Sequence, residues 1–329
     1  MKASSASGVC PITISIKLVF MSTINIQVMS TVAAFEDEIK MQLKFLENFK
    51  PQKPLSIPMQ KITIFCGTGD SFVAALLAQV FSNFRIKAMD PLEMASNLSI
   101  LNGHRVYLVS ISGNTLSNIR LAKHLRNATA ITANPKSKLA KSCQNLIHLE
   151  FRNAEIPTSG SISFLSSALT CISLVGKIKL GNYQRVFKIA SRMAKRQIHG
   201  KVYILGNLFS FPIAMFCAAK LYEVLGIDAH YERIEQFSHM GLFSSRKGDT
   251  VIIFEKRNEY NKKLATHLKK CGLHVIRMEP PSNDAIPQIL FFIFVSELLA
   301  LHLAKEKNKK DCFFVEAKKL RNASSAMIY

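Results

Sequence analysis

The sequence predicts an α/β protein made of two tandem units, each a doubly wound parallel sheet. Three observations carry this prediction. Short β-rich apolar runs alternate with longer apolar helices. The turns between them are short and rich in glycine and hydroxyl residues. The alternation also halts near residue 180 and starts again at Lys201, as an internal duplication would.

In the first unit, the strand candidates are Ile62–Cys66, Arg85–Met89, Arg105–Ser110, Ala128–Thr132 and Leu146–Leu149. Helices are expected over Phe72–Phe84, Leu116–Leu125 and Gly160–Val175, with one before the first strand over Thr31–Phe49. A basic bridge, Gly176–Arg196, leads on as a further helix. The second unit offers strands Lys201–Leu205, Thr250–Phe254 and Leu273–Ile276. Its helices are Pro212–Leu225, Glu259–Cys271 and Pro287–Ala304. Strand, short turn, helix, repeated, argues for parallel sheets covered on both faces. The expected division is an N-terminal extension to residue 30, a first unit over 31–180 and a second over 181–329.

At 329 residues and 48% apolar content, each unit can bury its own core. The seven cysteines form no C-x-x-C pair and fall mostly in apolar segments. They read as reduced, buried thiols, not as a disulfide framework or a zinc site. The net charge of +21 could serve nucleic acid, an anionic membrane or a phosphorylated metabolite. The basic residues are spread along the chain without a binding motif, which favours a solvated basic surface. Residues 1–28 are apolar but carry Lys17 and lack a small-residue cleavage site, which argues against a secretory signal or a membrane span. A mis-assigned start, with Met21 or Met29 as the true one, is the expectation there.

The stretch "SISGNT" follows the third strand and opens a helix. Ligands of doubly wound sheets bind at the carboxyl ends of strands. Gly113 allows a tight turn, and the helix start supplies unpaired N–H groups. With the hydroxyls of Ser110, Ser112 and Thr115, and with Asn114 beside them, the turn can wrap a phosphate without a cation. Plain helix capping needs one such residue, not four. The corresponding point of the second unit reads "FEKRNEY", so one anion site per chain is expected. Gly67 and Thr68 form a weaker glycine turn after the first strand, lacking the third glycine of a dinucleotide site. Thr158, Ser159 and Ser161 form a third hydroxyl-rich turn before a helix. Each of these two could be only a cap, or all three could converge on one ligand.

Glu223 lies in an apolar helix with Lys220 three residues before it, on the same face. The pair is either a surface ion pair or a general base with its partner. His239 follows in a loop-like segment near Glu235, either as an ordinary polar contact or as a second catalytic group.

In this order, these residues resemble the sugar isomerase (SIS) family. The likeness is to the isomerase half of glutamine–fructose-6-phosphate amidotransferase and, more distantly, to archaeal phosphosugar isomerases. "CGTGDS" looks like that family's first turn, "SISGNT" like its phosphate loop, and "LGNLFSFPIAMFCAAKLYE" like its second-half strand, turn and helix. The spacing from Glu223 to His239 also fits. The resemblance runs from about Phe35 to the C-terminus and implies two flavodoxin-like SIS domains acting on a phosphorylated sugar. It implies that Ser110, Ser112, Gly113, Asn114 and Thr115, with Gly67 and Thr68, hold the phosphosugar, and that Thr158, Ser159 and Ser161 line it. Glu223 would shuttle a proton between carbons 1 and 2, His239 would assist ring opening, from either subunit of a homodimer, and Lys220 would orient Glu223 or a hydroxyl. No metal or organic cofactor is implied, nor a nucleic-acid or membrane partner, and the location implied is cytoplasmic.

The sequence departs from that pattern. Gly69 stands where the family has a hydroxyl and Asn114 where it has an acid. The family's imine-forming lysine near the end is replaced by Ser325, although Lys318 and Lys319 lie close by. No glutaminase domain is present, so an aminating activity would need free ammonia or a separate glutaminase subunit. The leading expectation is aldose–ketose isomerisation of a sugar 6-phosphate through an enediol. The alternatives are an amino-sugar-phosphate deaminase, deglycase or ammonia-dependent synthase, and a phosphosugar sensor without chemistry.

Overall fold

The first described helix, α1 (Thr31–Asn48), is capped by Ser30, whose hydroxyl accepts from the Ala33 N–H at 3.2 Å. The computed structural model describes residues 29–329; the expectations for residues 1–28 lie outside the described residues. After α1 come α2 (Ile57–Lys61), β1 (Thr63–Cys66), α3 (Asp70–Phe81), β2 (Lys87–Met89), α4 (Pro91–Ser96), β3 (Arg105–Val109), α5 (Leu116–Ala122), β4 (Ala128–Thr132), α6 (Lys138–Ser142), β5 (Asn145–His148) and α7 (Ile162–Ser173). Helix α8 (Tyr183–Met193) leads to β6 (Val202–Gly206), α9 (Ser210–Leu225), β7 (Ala229–Glu232), α10 (Ile234–His239), β8 (Thr250–Phe254), α11 (Glu259–Lys270), β9 (His274–Met278), α12 (Ala285–Glu306), α13 (Phe313–Glu316) and α14 (Lys318–Ile328).

Two parallel sheets result, in the strand orders β2-β1-β3-β4-β5 and β7-β6-β8-β9. The expected fold class is therefore the observed one. Strands β1, β4, β6 and β8 are buried along their whole length, as parallel strands covered on both faces must be. In each sheet the chain reverses direction of growth once, between β1 and β3 and again between β6 and β8. Such a reversal splays the following loops apart and leaves a crevice at the carboxyl ends.

The two sheets share one core. Helix α3 packs on α7 and on α9, and α9 packs on α12. Phe164 of α7 stacks on Phe216 of α9 with ring centroids 3.9 Å apart, tying the first half to the second. Helix α12 is long and apolar enough to cross a membrane, yet 89% of its most apolar stretch is buried in the fold. It is the central core helix, and its apolar character serves packing.

Several sequence expectations need correction. The segment around His239 is the helix α10, not a loop, because Ile234 and Phe237 bury one face. The bridge after residue 176 is helical only over Tyr183–Met193. Strand β7 and the short helices α4 and α6 were not predicted; β7 is an edge strand, and none of its residues is fully buried. The C-terminal tail forms α14, with no buried residue. Cys66, Cys171, Cys217 and Cys312 are buried as expected, but Cys143 is half-buried and Cys271 exposed. Cys271 ends the amphipathic helix α11, which turns its last residues to solvent.

Helix α1 is fastened to the far end of the chain. Gln42 Nε2 donates to both oxygens of Glu297 on α12, each at 2.9 Å, with both residues out of solvent. Burial raises the Glu297 carboxyl from 4.5 to about 8, against the pull of the Gln42 amide. Gln42 Oε1 has no partner among the described residues. In the unfolded chain the same carboxyl ionises near 4.5. Stability should therefore fall as pH rises from about 5 to 8, by at most ~1.4 kcal/mol per pH unit, because the folded state retains a proton that the unfolded state releases. Glu297→Gln should remove that slope. Thermal melts followed by circular dichroism should show no gain at pH 4 and a growing gain for the variant up to pH 8.

Candidate functional site

Because β1 and β3 are neighbours, with Cys66 paired to Leu108, the loops that follow them face each other across the first crevice. The loop after β3 is the stretch Ser110–Thr115. Gly113 adopts φ +63°, and a side chain there would collide with Ser137. The Gly113 N–H donates to Ser110 Oγ at 3.2 Å, the Asn114 N–H donates to Ser112 Oγ at 3.2 Å, and Ser110 Oγ lies 3.1 Å from Thr115 Oγ1. Thr115 is the N-cap of α5, yet its side chain makes no capping bond. Capping therefore does not explain the hydroxyls. They brace the turn from within.

The loop after β1 holds Gly67 and Thr68, then turns at Gly69 into α3. Its next residue, Asp70, was not singled out by the sequence reading. Asp70 Oδ2 accepts a hydrogen bond from Lys220 Nζ at 3.2 Å. Lys220 also donates to Glu223 Oε2 at 2.7 Å and to the Gly160 carbonyl at 3.0 Å. Ser159 Oγ donates to the same Glu223 oxygen at 2.6 Å. The candidate base, its lysine and the turn before α7 thus meet at the mouth of the first crevice. Gly160 is required there, since a Cβ would stand 2.6 Å from Asp70 Oδ2.

Lys220 is wholly buried, which alone would lower its pKa, but the Asp70 and Glu223 carboxylates outweigh this and hold it above the ordinary lysine value. Burial, with the Glu223 charge nearby, raises Asp70 to about 6 in spite of Lys220. The surface ion pair considered for Lys220 and Glu223 is excluded by the burial of Lys220. Behind the turn, Ser161 Oγ donates to Glu38 Oε2 at 3.0 Å, and burial raises the Glu38 carboxyl.

Other expected residues sit differently. Thr158 Oγ1 donates to the Thr31 carbonyl at 2.7 Å, so its hydroxyl fastens α1 to the turn. Ser161 likewise serves Glu38. His239 is 70% exposed on α10, with Nε2 3.2 Å from Glu235 Oε1, and makes no hydrogen bond to Lys220 or Glu223 in its own chain. A cavity of about 650 Å³ adjoins the turn, lined by Glu38, Ile111, Ala133, His148, Thr158 and Gly160 among others. Among the described residues, no cluster of metal-binding side chains occurs.

The second crevice is arranged otherwise. Glu255, after β8, accepts from the Asn207 N–H at 3.0 Å and from Ser210 Oγ at 3.2 Å. The donors that follow β6 are thus occupied by the chain's own carboxylate.

No family model matches the chain, and no curated protein sequence does. Solved structures do. A glucosamine-6-phosphate deaminase from Thermotoga maritima superposes with a TM-score of 0.68 at 21% identity, covering 85% of this chain and 95% of that one. A tagatose-6-phosphate ketose/aldose isomerase from Escherichia coli gives 0.63 at 15% identity, over 85% and 88% of the two chains. The C-terminal domain of glucosamine-fructose-6-phosphate aminotransferase from Francisella tularensis gives 0.62 at 14% identity, over 86% and 97%. The chain shares its fold with these three structures. At these identities the likeness establishes the architecture, and the site must argue the chemistry.

Lys220→Met should leave two carboxylates facing each other without a counter-ion. The expected loss of stability is near the low end of roughly 3–5 kcal/mol, because both carboxylates keep contact with solvent. Urea unfolding at pH 7.5 and at pH 5 checks this. The loss should shrink at the lower pH, where Asp70, already raised to about 6, takes up a proton.

Proposed function

We propose that the chain is an enzyme interconverting an aldose and a ketose phosphate by moving a proton between carbons 1 and 2 through an enediol. The observation that carries this reading is Glu223 held beside a buried ammonium at the mouth of the β1/β3 crevice, with the hydroxyl turn Ser110–Thr115 on the same crevice. A phosphate at that turn fixes one end of an open sugar, and the carboxylate meets the other.

In this reading Glu223 takes the proton from carbon 2 and returns it to carbon 1. Lys220 keeps the carboxylate oriented, and Ser159 fixes the oxygen that is not reacting. His239 serves ring opening in the site of a second copy, since its own chain leaves it exposed. The likeness of fold to the Escherichia coli ketose/aldose isomerase supports the reaction class without identifying the sugar.

Incubation with fructose 6-phosphate in heavy water, followed by NMR, should place deuterium on carbon 1 or 2. Glu223→Gln should lower the exchange rate by about a thousandfold, within the usual span for a general base and its proton relay. Phosphosugar binding by the same variant should persist. Undiminished exchange in Glu223→Gln overturns the assignment.

A further inference from the structure

We propose that the groove between α1 and α7 binds a small heteroaromatic anion: a planar ring with polar edge atoms, carrying a phosphate or a carboxylate. The groove has a volume of about 870 Å³, within the range of small-molecule sites. Neither the hydroxyl turn Ser110–Thr115 nor the Lys220 cluster lines it. It shares only the segment His148–Phe151 with the cavity beside the turn before α7. The proposal therefore stands apart from the phosphosugar reading. Three observations carry it.

The first is a pair of idle hydroxyls. Ile162, Ser166 and Thr170 lie a turn apart on one face of α7 and line the buried side of the groove. Ser166 is 2% exposed and Thr170 5%. Their neighbours Ser167 and Ser173 donate back to the Phe164 and Thr170 carbonyls, at 2.9 and 2.7 Å. The hydroxyls of Ser166 and Thr170 have no hydrogen-bond partner among the described residues. The second is aromatic lining. Phe45 and Phe49, a turn apart on α1, present rings with centroids 5.6 Å apart, and Phe151 joins them from the segment after β5. The third is charge. Lys44, Lys50 and Arg152 line the groove and make no ion pair among the described residues. Lys40 is already held by Glu36 at 3.0 Å. The acid that lines the groove, Glu150, lies 3.4 Å from His148.

Together these select the ligand. A plain hydrocarbon chain would suit the phenylalanines, but it would strip water from Ser166 and Thr170 and return no hydrogen bond. A free inorganic anion would suit the cations and leave the aromatic lining wet. A flat ring keeps contact with the phenylalanine faces, and nitrogen or oxygen atoms on its edge bond the two hydroxyls. Its anionic group then meets the unpaired cations at the rim, where Arg152 can grip two oxygens at once. Phosphate and carboxylate meet that requirement by the same chemistry.

Calorimetry on the full chain at neutral pH tests this with two probes, adenosine 5′-monophosphate and indole-3-acetate. Each is titrated with and without excess glucitol 6-phosphate, a sugar phosphate that has no carbonyl and cannot turn over. At least one probe should bind, and the sugar phosphate should not displace it. Binding of the nucleotide alone identifies a phosphate ligand, binding of the indole acid alone a carboxylate, and binding of both a site that accepts either. The uncharged counterparts, adenosine and indole, should bind at least roughly tenfold more weakly, the order of one charge-assisted contact. Lys44→Glu should weaken the bound probe by a similar factor of about ten. Thr170→Val keeps the shape, loses the hydroxyl and should weaken it about fivefold. Failure of the folded wild-type protein to bind either probe overturns the proposal. So does unchanged affinity in either variant. A probe that glucitol 6-phosphate displaces and Ser110→Ala weakens is bound at the hydroxyl turn, and that outcome overturns the proposal as well while leaving the phosphosugar reading standing.

Discussion

The site depends on one buried ammonium. Lys220 has no exposed surface, and a lone charge in that position would cost several kcal/mol in lost hydration. It is stable there because Asp70 comes from the first half of the chain, Glu223 from its own helix and a carbonyl from the turn before α7. The lysine thereby fixes how the second half meets the first. The stacked Phe164 and Phe216 supply the apolar side of the same junction. Packing brings α7 and α9 close, and the ion cluster selects the register in which Glu223 faces the crevice.

The two crevices show how a common scaffold can be given unequal roles. In the first, the hydroxyls and amides of the Ser110–Thr115 turn bond to one another, and no carboxylate among the described residues accepts from them. In the second, Glu255 occupies the donors that follow β6, and burial raises its carboxyl. A phosphate approaching there would meet a negative charge already in place. The sequence contained this difference as "SISGNT" against "FEKRNEY", but only coordinates show that the glutamate folds back into its own half.

The architecture was largely legible because parallel strands buried on both faces are continuous apolar runs, as in Ile64–Cys66 or Val251–Phe254. Strand β7 was not, since Ala-His-Tyr-Glu at a sheet edge has neither a run nor an alternation. Helix α10 was missed because two buried residues in six give too short a period to read. Glu223 and Lys220 announced themselves as charges in an apolar helix. Asp70 did not: its meaning lies in a partner 150 residues away, and as one residue of a glycine turn it looked like ordinary helix-start chemistry. Glu297 could have been found, as the single acid in a run of aromatic and aliphatic residues. Its partner Gln42 could not, being one polar residue among many on α1.

The fastening of α1 has a consequence for the order of events during synthesis. The helix is the first described element to emerge, yet its buried amide waits for Glu297, 255 residues later, and its first residue waits for Asp311, 280 residues later. At roughly 5–20 residues per second on the ribosome, that delay is tens of seconds at the slow end of the range. Over that interval the apolar stripe of α1 that packs on α12 lacks its native cover. The nascent chain must keep this stripe from other hydrophobic surfaces, and the first half reaches its final form only when the last helices close over it.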